Sequence, residues 1–199
     1  VTGASGFIGK HCVAALLAKG YRVRGTVRRP DAADEVRAAL GAAGRDYAGL
    51  SFARAYLLSD DGWDDAAAGC RFVLHVASVF QINPPRDREG LVPVARGGTL
   101  RVLRAGERAG VERTVLTSSI AAVRIGHRSD DKRVFTEADW TDLDNPDVSS
   151  YAVSKTRAER AAWEFIVAEG GRMSLAVINP GFVLGPPLDT TVAVSHLIF

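Results

Sequence analysis

Tyr151 and Lys155 stand four residues apart in the run Ser150-Tyr151-Ala152-Val153-Ser154-Lys155. On a helix that spacing brings both side chains to one face. An ammonium beside a phenol favours the phenolate. Tuned in this way, Tyr151 could hand a proton to a carbonyl oxygen as hydride reaches the carbon. Lys155 could also hold the ribose of the hydride donor. Alone the pair is weak, because four tyrosines and four lysines can produce it by accident on an exposed helix face. Thr117-Ser118-Ser119 adds weight. These hydroxyls close an apolar run, and ligands of open α/β sheets bind at the carboxyl ends of strands. A hydroxyl there could donate to the developing oxyanion, favouring the transition state over the ground state. The plainer alternative is a serine-rich turn.

The amino-terminal run VTGASGFIG spaces Gly3, Gly6 and Gly9 three residues apart ahead of an apolar helical stretch. In a doubly wound sheet, three such glycines serve a tight turn, close approach to a pyrophosphate and close helix–sheet packing. The helix N-terminus contributes free N–H groups and partial positive charge, and Ser5 could bond a phosphate oxygen. A ribose-reading residue should follow about 20 residues on. Arg28 comes nineteen after Gly9, with Arg29 next. An acid there would take the 2′-hydroxyl of NAD; an arginine fork suits the 2′-phosphate of NADP. The pattern predicts NADPH over NADH.

The elements that must carry these groups alternate along the chain. Helices are expected over residues 11–19, closed by Gly20, and over 31–40, 64–68, 91–109 and 150–168. Pro93 and the Gly97-Gly98 pair count against the fourth of these. Strands are expected over 21–27, 50–58, 72–77, 114–118 and 175–179, the last halted by Pro180 and Gly181. The runs at 72–77 and 114–118 are continuously apolar, as in strands buried on both faces. Residues 123–149 are polar and loop-like. The order is that of an α/β, Rossmann-type doubly wound parallel sheet.

The chain has 199 residues, 47% hydrophobic and 24% charged, with a net charge of +2. Basic and acidic residues are interspersed, which gives no footprint for nucleic acid or a membrane surface. No apolar stretch reaches the length of a membrane span, and no signal-like segment is visible. Cys12 and Cys70 lie far apart and read as buried, reduced thiols of a cytoplasmic protein. His11, His75, His127 and His196 form no metal-ligand spacing.

Taken in order, TGASGFIG, the Arg28 region, HVAS, TSS and YAVSK resemble the extended short-chain dehydrogenase/reductases. The stretch TEADWTDLDNPDVSSYAVSKTRAERAAW is similar to the dihydroflavonol-reductase-like branch. That branch holds plant dihydroflavonol and cinnamoyl-CoA reductases and microbial NADPH-dependent ketone and aldehyde reductases. The resemblance runs from Val1 to about Leu188. It implies a catalytic Ser–Tyr–Lys triad of Ser119, Tyr151 and Lys155, Ser119 being the second serine of its pair. It implies an NADP(H) site at Gly3, Ser5, Gly6, Phe7, Ile8, Gly9 and Arg28, with strand-end contacts from Leu57, Val76, Ala77, Ser78, Pro180 and Val183 beside Tyr151 and Lys155.

The chain departs from the family pattern at several places. Tyr56 stands where an adenine-contacting Asp is usual, and its ring could stack on the base instead. Asp34-Glu35 stand where a second basic residue often helps with the 2′-phosphate. Arg124 replaces the Asn by which plant dihydroflavonol enzymes choose substrate. The Asn-Trp-Tyr-Cys-Tyr signature of the cinnamoyl-CoA enzymes is absent. A general ketone or aldehyde is therefore expected before either plant substrate.

Only Val1-Thr2 precede Gly3, and the chain stops at Phe199. Against the family pattern this reads as a core truncated at both ends: one NAD(P)-binding unit over 1–199, lacking most of its first strand and a C-terminal substrate-binding portion. Loss of that strand would take hydrogen-bond partners from both of its neighbours. The loop over 80–92 and the missing portion would choose the substrate. The expected activity is NADPH-dependent reduction of a small-molecule ketone or aldehyde to an alcohol. An NAD-dependent nucleotide-sugar epimerase or dehydratase is the alternative, though such enzymes more often show Tyr-Gly after the serine strand, where this chain reads SSIAAVRIG. A non-catalytic dinucleotide-binding module is a third reading.

Overall fold

A computed structural model describes residues 1–78, 87–128, 133–169 and 171–188. Helices and strands alternate: α1 Phe7–Ala18, β1 Val23–Val27, α2 Ala32–Ala42, β2 Leu50–Arg54, α3 Trp63–Ala67, β3 Phe72–His75, α4 Val92–Arg108, β4 Arg113–Thr117, α5 Ser150–Ala168 and β5 Ser174–Ile178. A 3-10 turn, Ile120–Ala122, lies between β4 and α5. This is the α/β order expected from the apolar periodicities.

Every strand pair is parallel. β1 pairs with β2, setting Val23 opposite Leu50, and β3, β4 and β5 form a second ladder with Leu74 opposite Val115 and Val115 opposite Ala176. Val1 and Thr2 lie between the two ladders. Thr2 N–H donates to the Leu74 carbonyl at 2.9 Å, and the Val1 carbonyl accepts from Thr26 N–H at 2.9 Å. The lateral order is therefore β2, β1, Val1–Thr2, β3, β4, β5. Even two residues at this position hydrogen-bond to both neighbours.

Two cores flank this arrangement. Val13 from α1 and Val36 and Leu40 from α2 pack with Ala4, Val23 and Leu50. The larger core joins α3, α4 and α5 to β3 and β4 through Trp63, Val73, Leu103, Leu116, Ala162 and Phe165. Strands β3 and β4 alternate between buried and more exposed positions rather than being buried throughout, and Phe72 at the start of β3 is exposed.

α4 is unbroken despite Pro93 and its glycines. Pro93 falls in the first turn, where a missing N–H is an orphan in any case. Gly98 faces the side chain of Leu57; a Cβ there would come within 2.9 Å of it. The glycine lets α4 press close to the end of β2. That strand stops at Arg54, four residues short of the expected end, because Ala55 N–H to the Val27 carbonyl is the last ladder bond and the chain then turns across the carboxyl ends. Within 123–149 no described residue joins a helix or strand. Buried Thr141 orders this loop: its hydroxyl donates to the Ala121 carbonyl at 2.7 Å and accepts from Ile125 N–H at 2.9 Å.

Candidate functional site

The carboxyl ends of the strands open onto one cavity of about 1120 Å³, and every site residue singled out from the sequence lines it. Arg28 follows β1, Leu57 follows β2, Val76 to Ser78 follow β3, Ser119 follows β4, and Pro180 and Val183 follow β5. The glycine loop and the Tyr151 face of α5 complete the wall. These groups come from segments up to 180 residues apart, brought together only by the parallel winding of the sheet.

The glycine loop is tightly built. Gly3 has φ +66°, a left-handed conformation that side chains resist, and a Cβ there would meet Ala77 at 3.0 Å. Gly9 packs the first turn of α1 onto the loop, so that a Cβ would fall 2.1 Å from the Gly3 carbonyl oxygen. Gly6 is the N-cap of α1, and no side chain caps the helix. Its first-turn N–H groups therefore face the cavity at the positive end of the dipole. Gly3 N–H itself is held by the Thr26 hydroxyl at 3.2 Å.

The two arginines after β1 separate. Arg29 forms ion pairs with Asp31 at 3.4 Å and Glu35 at 3.0 Å. Arg28 has no ion pair among the described residues; its guanidinium lies over the Tyr56 ring on the cavity wall. Glu35, one of the pair standing at the usual second basic position, thus neutralises Arg29, while Arg28 stays on the cavity wall.

At the other end of the cavity, the Ser149 hydroxyl caps α5 by accepting from Ala152 N–H at 3.3 Å, which fixes the turn that carries Tyr151. Lys155 Nζ lies 5.9 Å from the Tyr151 ring centre and donates to the Thr117 carbonyl at 3.3 Å. Lys155 is buried, and that burial, opposed by the charge of Glu159, lowers its pKa to about 8. Ser119 Oγ accepts from Ala121 N–H at 3.1 Å, capping the 3-10 turn and leaving its own proton to donate. Ser118 is buried, with its hydroxyl unpaired among the described residues. His75, beneath the same strand ends, is pushed down to about 3, first by burial and then by the nearby Lys155 charge. The Thr2 hydroxyl accepts from Ala77 N–H at 2.9 Å and shares a second hydrogen bond with His75 Nδ1, 2.8 Å away.

The wall also contains Thr26, Trp63, Val94, Ile125 and Phe182, which no motif flagged. None of these carried a signal in the sequence: in the alternating strand 21–27, Thr26 shares the face of Arg22 and Arg24. Arg124 lines the cavity too. The expected substrate-choosing loop at 80–92 falls partly at 79–86, outside the described residues, as does His196. Cys12 and Cys70 are free thiols, half-buried rather than buried: Cys12 lies midway along α1, and Cys70 lies between α3 and β3. Among the described residues, no three His, Cys, Asp or Glu side chains gather as a metal site needs, and no helix is long and apolar enough to cross a membrane.

Comparison with known proteins agrees with this geometry. Residues 1–199 match the NAD dependent epimerase/dehydratase family. The chain is 41% identical to cinnamoyl-CoA reductase 1 of Petunia hybrida, covering 99% of this chain and 57% of that protein. It is 35% identical to a (2S)-flavan-3-ol-forming anthocyanidin reductase of Vitis vinifera, covering 98% and 58%. Among solved structures it resembles the yeast methylglyoxal/isovaleraldehyde reductase Gre2 complexed with NADPH, at a TM-score of 0.81 and 31% identity, over 94% of this chain and 58% of that one. The chain thus spans somewhat more than half the length of these relatives.

Proposed function

This chain belongs to the NAD dependent epimerase/dehydratase family, and from that premise we propose that it carries the cofactor site and catalytic residues of an NADPH-dependent reductase that turns a ketone or aldehyde into an alcohol. One observation carries the reading: the glycine loop, an arginine without an ion pair among the described residues and the Ser119–Tyr151–Lys155 trio share a single cavity.

The residues suit NADPH. The first-turn N–H groups of α1, with Ser5, would hold its pyrophosphate; Arg28 would fork onto the 2′-phosphate; Tyr56 would lie against the adenine. When bound, the cofactor supplies the hydride. Ser119 Oγ–H donates to the substrate carbonyl oxygen and stabilises the charge that gathers there. Tyr151 passes its phenolic proton to that oxygen. Lys155 favours the phenolate left behind and binds the adjacent ribose. Val94 and Ile125 give the cavity an apolar wall beside the reacting carbonyl. The yeast relative is a methylglyoxal/isovaleraldehyde reductase, which supports a small carbonyl substrate. The same reading puts the reaction in the cytoplasm, where the free thiols stay reduced.

The test is net NADPH oxidation with a panel of small aldehydes and ketones, in wild type and Tyr151→Phe. The expected result is turnover that falls by at least about a hundredfold in the variant. Undiminished turnover in Tyr151→Phe, or carbonyl compounds that leave NADPH unconsumed, overturns the reading.

A further inference from the structure

Glu159 lies on α5 one turn beyond Lys155 and is buried, with no lysine or arginine in ion-pair reach among the described residues. A buried carboxylate is costly unless it is hydrogen-bonded. The partner that satisfies it is Asn179, just past β5, whose Nδ2 donates to Glu159 Oε2 at 2.8 Å. The same Nδ2 donates to the backbone carbonyl of Ser119 at 3.1 Å. One carboxamide therefore spans from the helix that bears Tyr151 and Lys155 to the strand end that bears Ser119.

Glu159 also faces Lys155 across a small buried chamber of about 20 Å³. The titratable groups around the lysine are His75 from β3 and Tyr151 and Glu159 from its own helix; α4 presents Ala95 and Thr99, and β4 presents Leu116, Thr117 and Ser118. His75 is neutral at physiological pH, so it brings no charge. Glu159 is the carboxylate that opposes the burial of the ammonium.

We propose that Glu159 is a positioning residue with two separable effects: through Asn179 it fixes Ser119 against α5, and through its charge it keeps Lys155 an ammonium. The catalytic meaning of these effects rests on the reductase reading above; the effects themselves do not.

The separation makes the proposal testable. Glu159→Gln keeps the size and an oxygen for Asn179 but drops the charge. Asn179→Ala keeps the charge but cuts the bridge. Glu159→Asp keeps the charge and shortens the reach. The first readout is the titration of Lys155 by NMR in ¹⁵N-lysine-labelled protein, assigned with Lys155→Arg; the chain has only four lysines. Wild-type Lys155 should titrate near pH 8. In Glu159→Gln the midpoint should fall by about one unit or more, in Glu159→Asp it should fall by less, and in Asn179→Ala it should stay in place. The second readout is the pH dependence of kcat for NADPH oxidation. Its alkaline limb, where the ammonium is lost, should move to lower pH in Glu159→Gln with the plateau retained. In Asn179→Ala the plateau should drop about tenfold with the limb unmoved.

An unchanged Lys155 midpoint in Glu159→Gln overturns the charge effect, and a wild-type plateau in Asn179→Ala overturns the bridge. Should Glu159→Gln fail to fold, a Lys155 midpoint lowered in Asn179→Ala would equally overturn the account, since the Glu159 charge is still in place there. Undiminished turnover in Tyr151→Phe would sink the reductase reading instead, and the lysine titration, which needs no substrate, would stand or fall on its own.

Discussion

The guanidinium carbon of Arg28 lies 6.0 Å from the centre of the Tyr56 ring. The two residues follow adjacent strands, β1 and β2, and their contact is at the outer limit of a cation–π interaction. The ring sets the guanidinium on the cavity wall while Arg29 turns away to Asp31 and Glu35. In the cofactor site proposed here, this pair would take the 2′-phosphate and the adenine together.

Arg28→Ala should therefore weaken NADPH binding by roughly ten- to a hundredfold, the worth of charge-assisted hydrogen bonds, and leave NADH binding nearly unchanged. Fluorescence titration with both cofactors checks this. Equal losses for NADPH and NADH would remove the 2′-phosphate role. Tyr56→Leu should weaken both cofactors alike, because the adenine is common to them.

Gly9 leaves no room for a methyl group: its Cβ would sit 2.1 Å from the Gly3 oxygen, which is backbone and cannot swing aside. Gly9→Ala should push α1 off the loop, lowering stability by about 1–3 kcal/mol and abolishing the cofactor-induced rise in Tm. Thermal melts with and without NADPH measure both effects. Gly20, also at positive φ but with open space around it, is the control: Gly20→Ala should cost stability without touching the cofactor response.

His75 should make the fold acid-sensitive. Its folded pKa, about 3, lies well below the unfolded value of 6.5. Between these two values the unfolded chain holds the extra proton, so stability is full above 6.5 and falls as pH drops, by roughly 1.4 kcal/mol per pH unit. Urea denaturation at pH 7 and pH 5 should show this slope in wild type and a shallower one in His75→Gln. Parallel slopes would show that the histidine is charged in the folded protein.

Lys155 should act on the alkaline side. Its folded pKa is about 8 against an ordinary 10.5. The unfolded chain again holds more protons in that window, so this residue's penalty is full below pH 8 and fades as pH rises toward 10.5. Lys155→Met should therefore stabilise the protein near pH 7 by up to about 3 kcal/mol, while eliminating turnover. A stabilised but inactive variant is the mark of a buried charge kept for chemistry, and denaturation midpoints beside the NADPH oxidation assay would reveal it.

Much of this protein was legible along the chain, because the relevant physics is local. The spacing of Tyr151 and Lys155 is a property of one helix, and α5 runs over the expected residues. The glycine loop announces its turn because Gly9 answers to Gly3 and Ala4, only a few residues away. Alternating apolar runs predicted the winding order, since each strand and helix declares its own period. Where the chain misled, a distant partner had intervened. Gly97 and Gly98 looked like helix breakers, yet Gly98 lets α4 close on Leu57, and β2 ended early as Tyr56 and Leu57 turned toward the cavity.

What the sequence alone determined was thus the set of elements, their order, and the residue types placed at strand ends and helix starts. Tertiary structure decided the state of those residues. It chose Arg28 over Arg29 by giving the latter two carboxylates, set Ser118 in the interior while Ser119 caps the turn on the cavity, and joined Glu159 to Ser119 through Asn179. Charge and hydrogen bonding depend on distances of a few ångströms between segments dozens of residues apart, and no one-dimensional spacing encodes such distances until the sheet has brought the segments together.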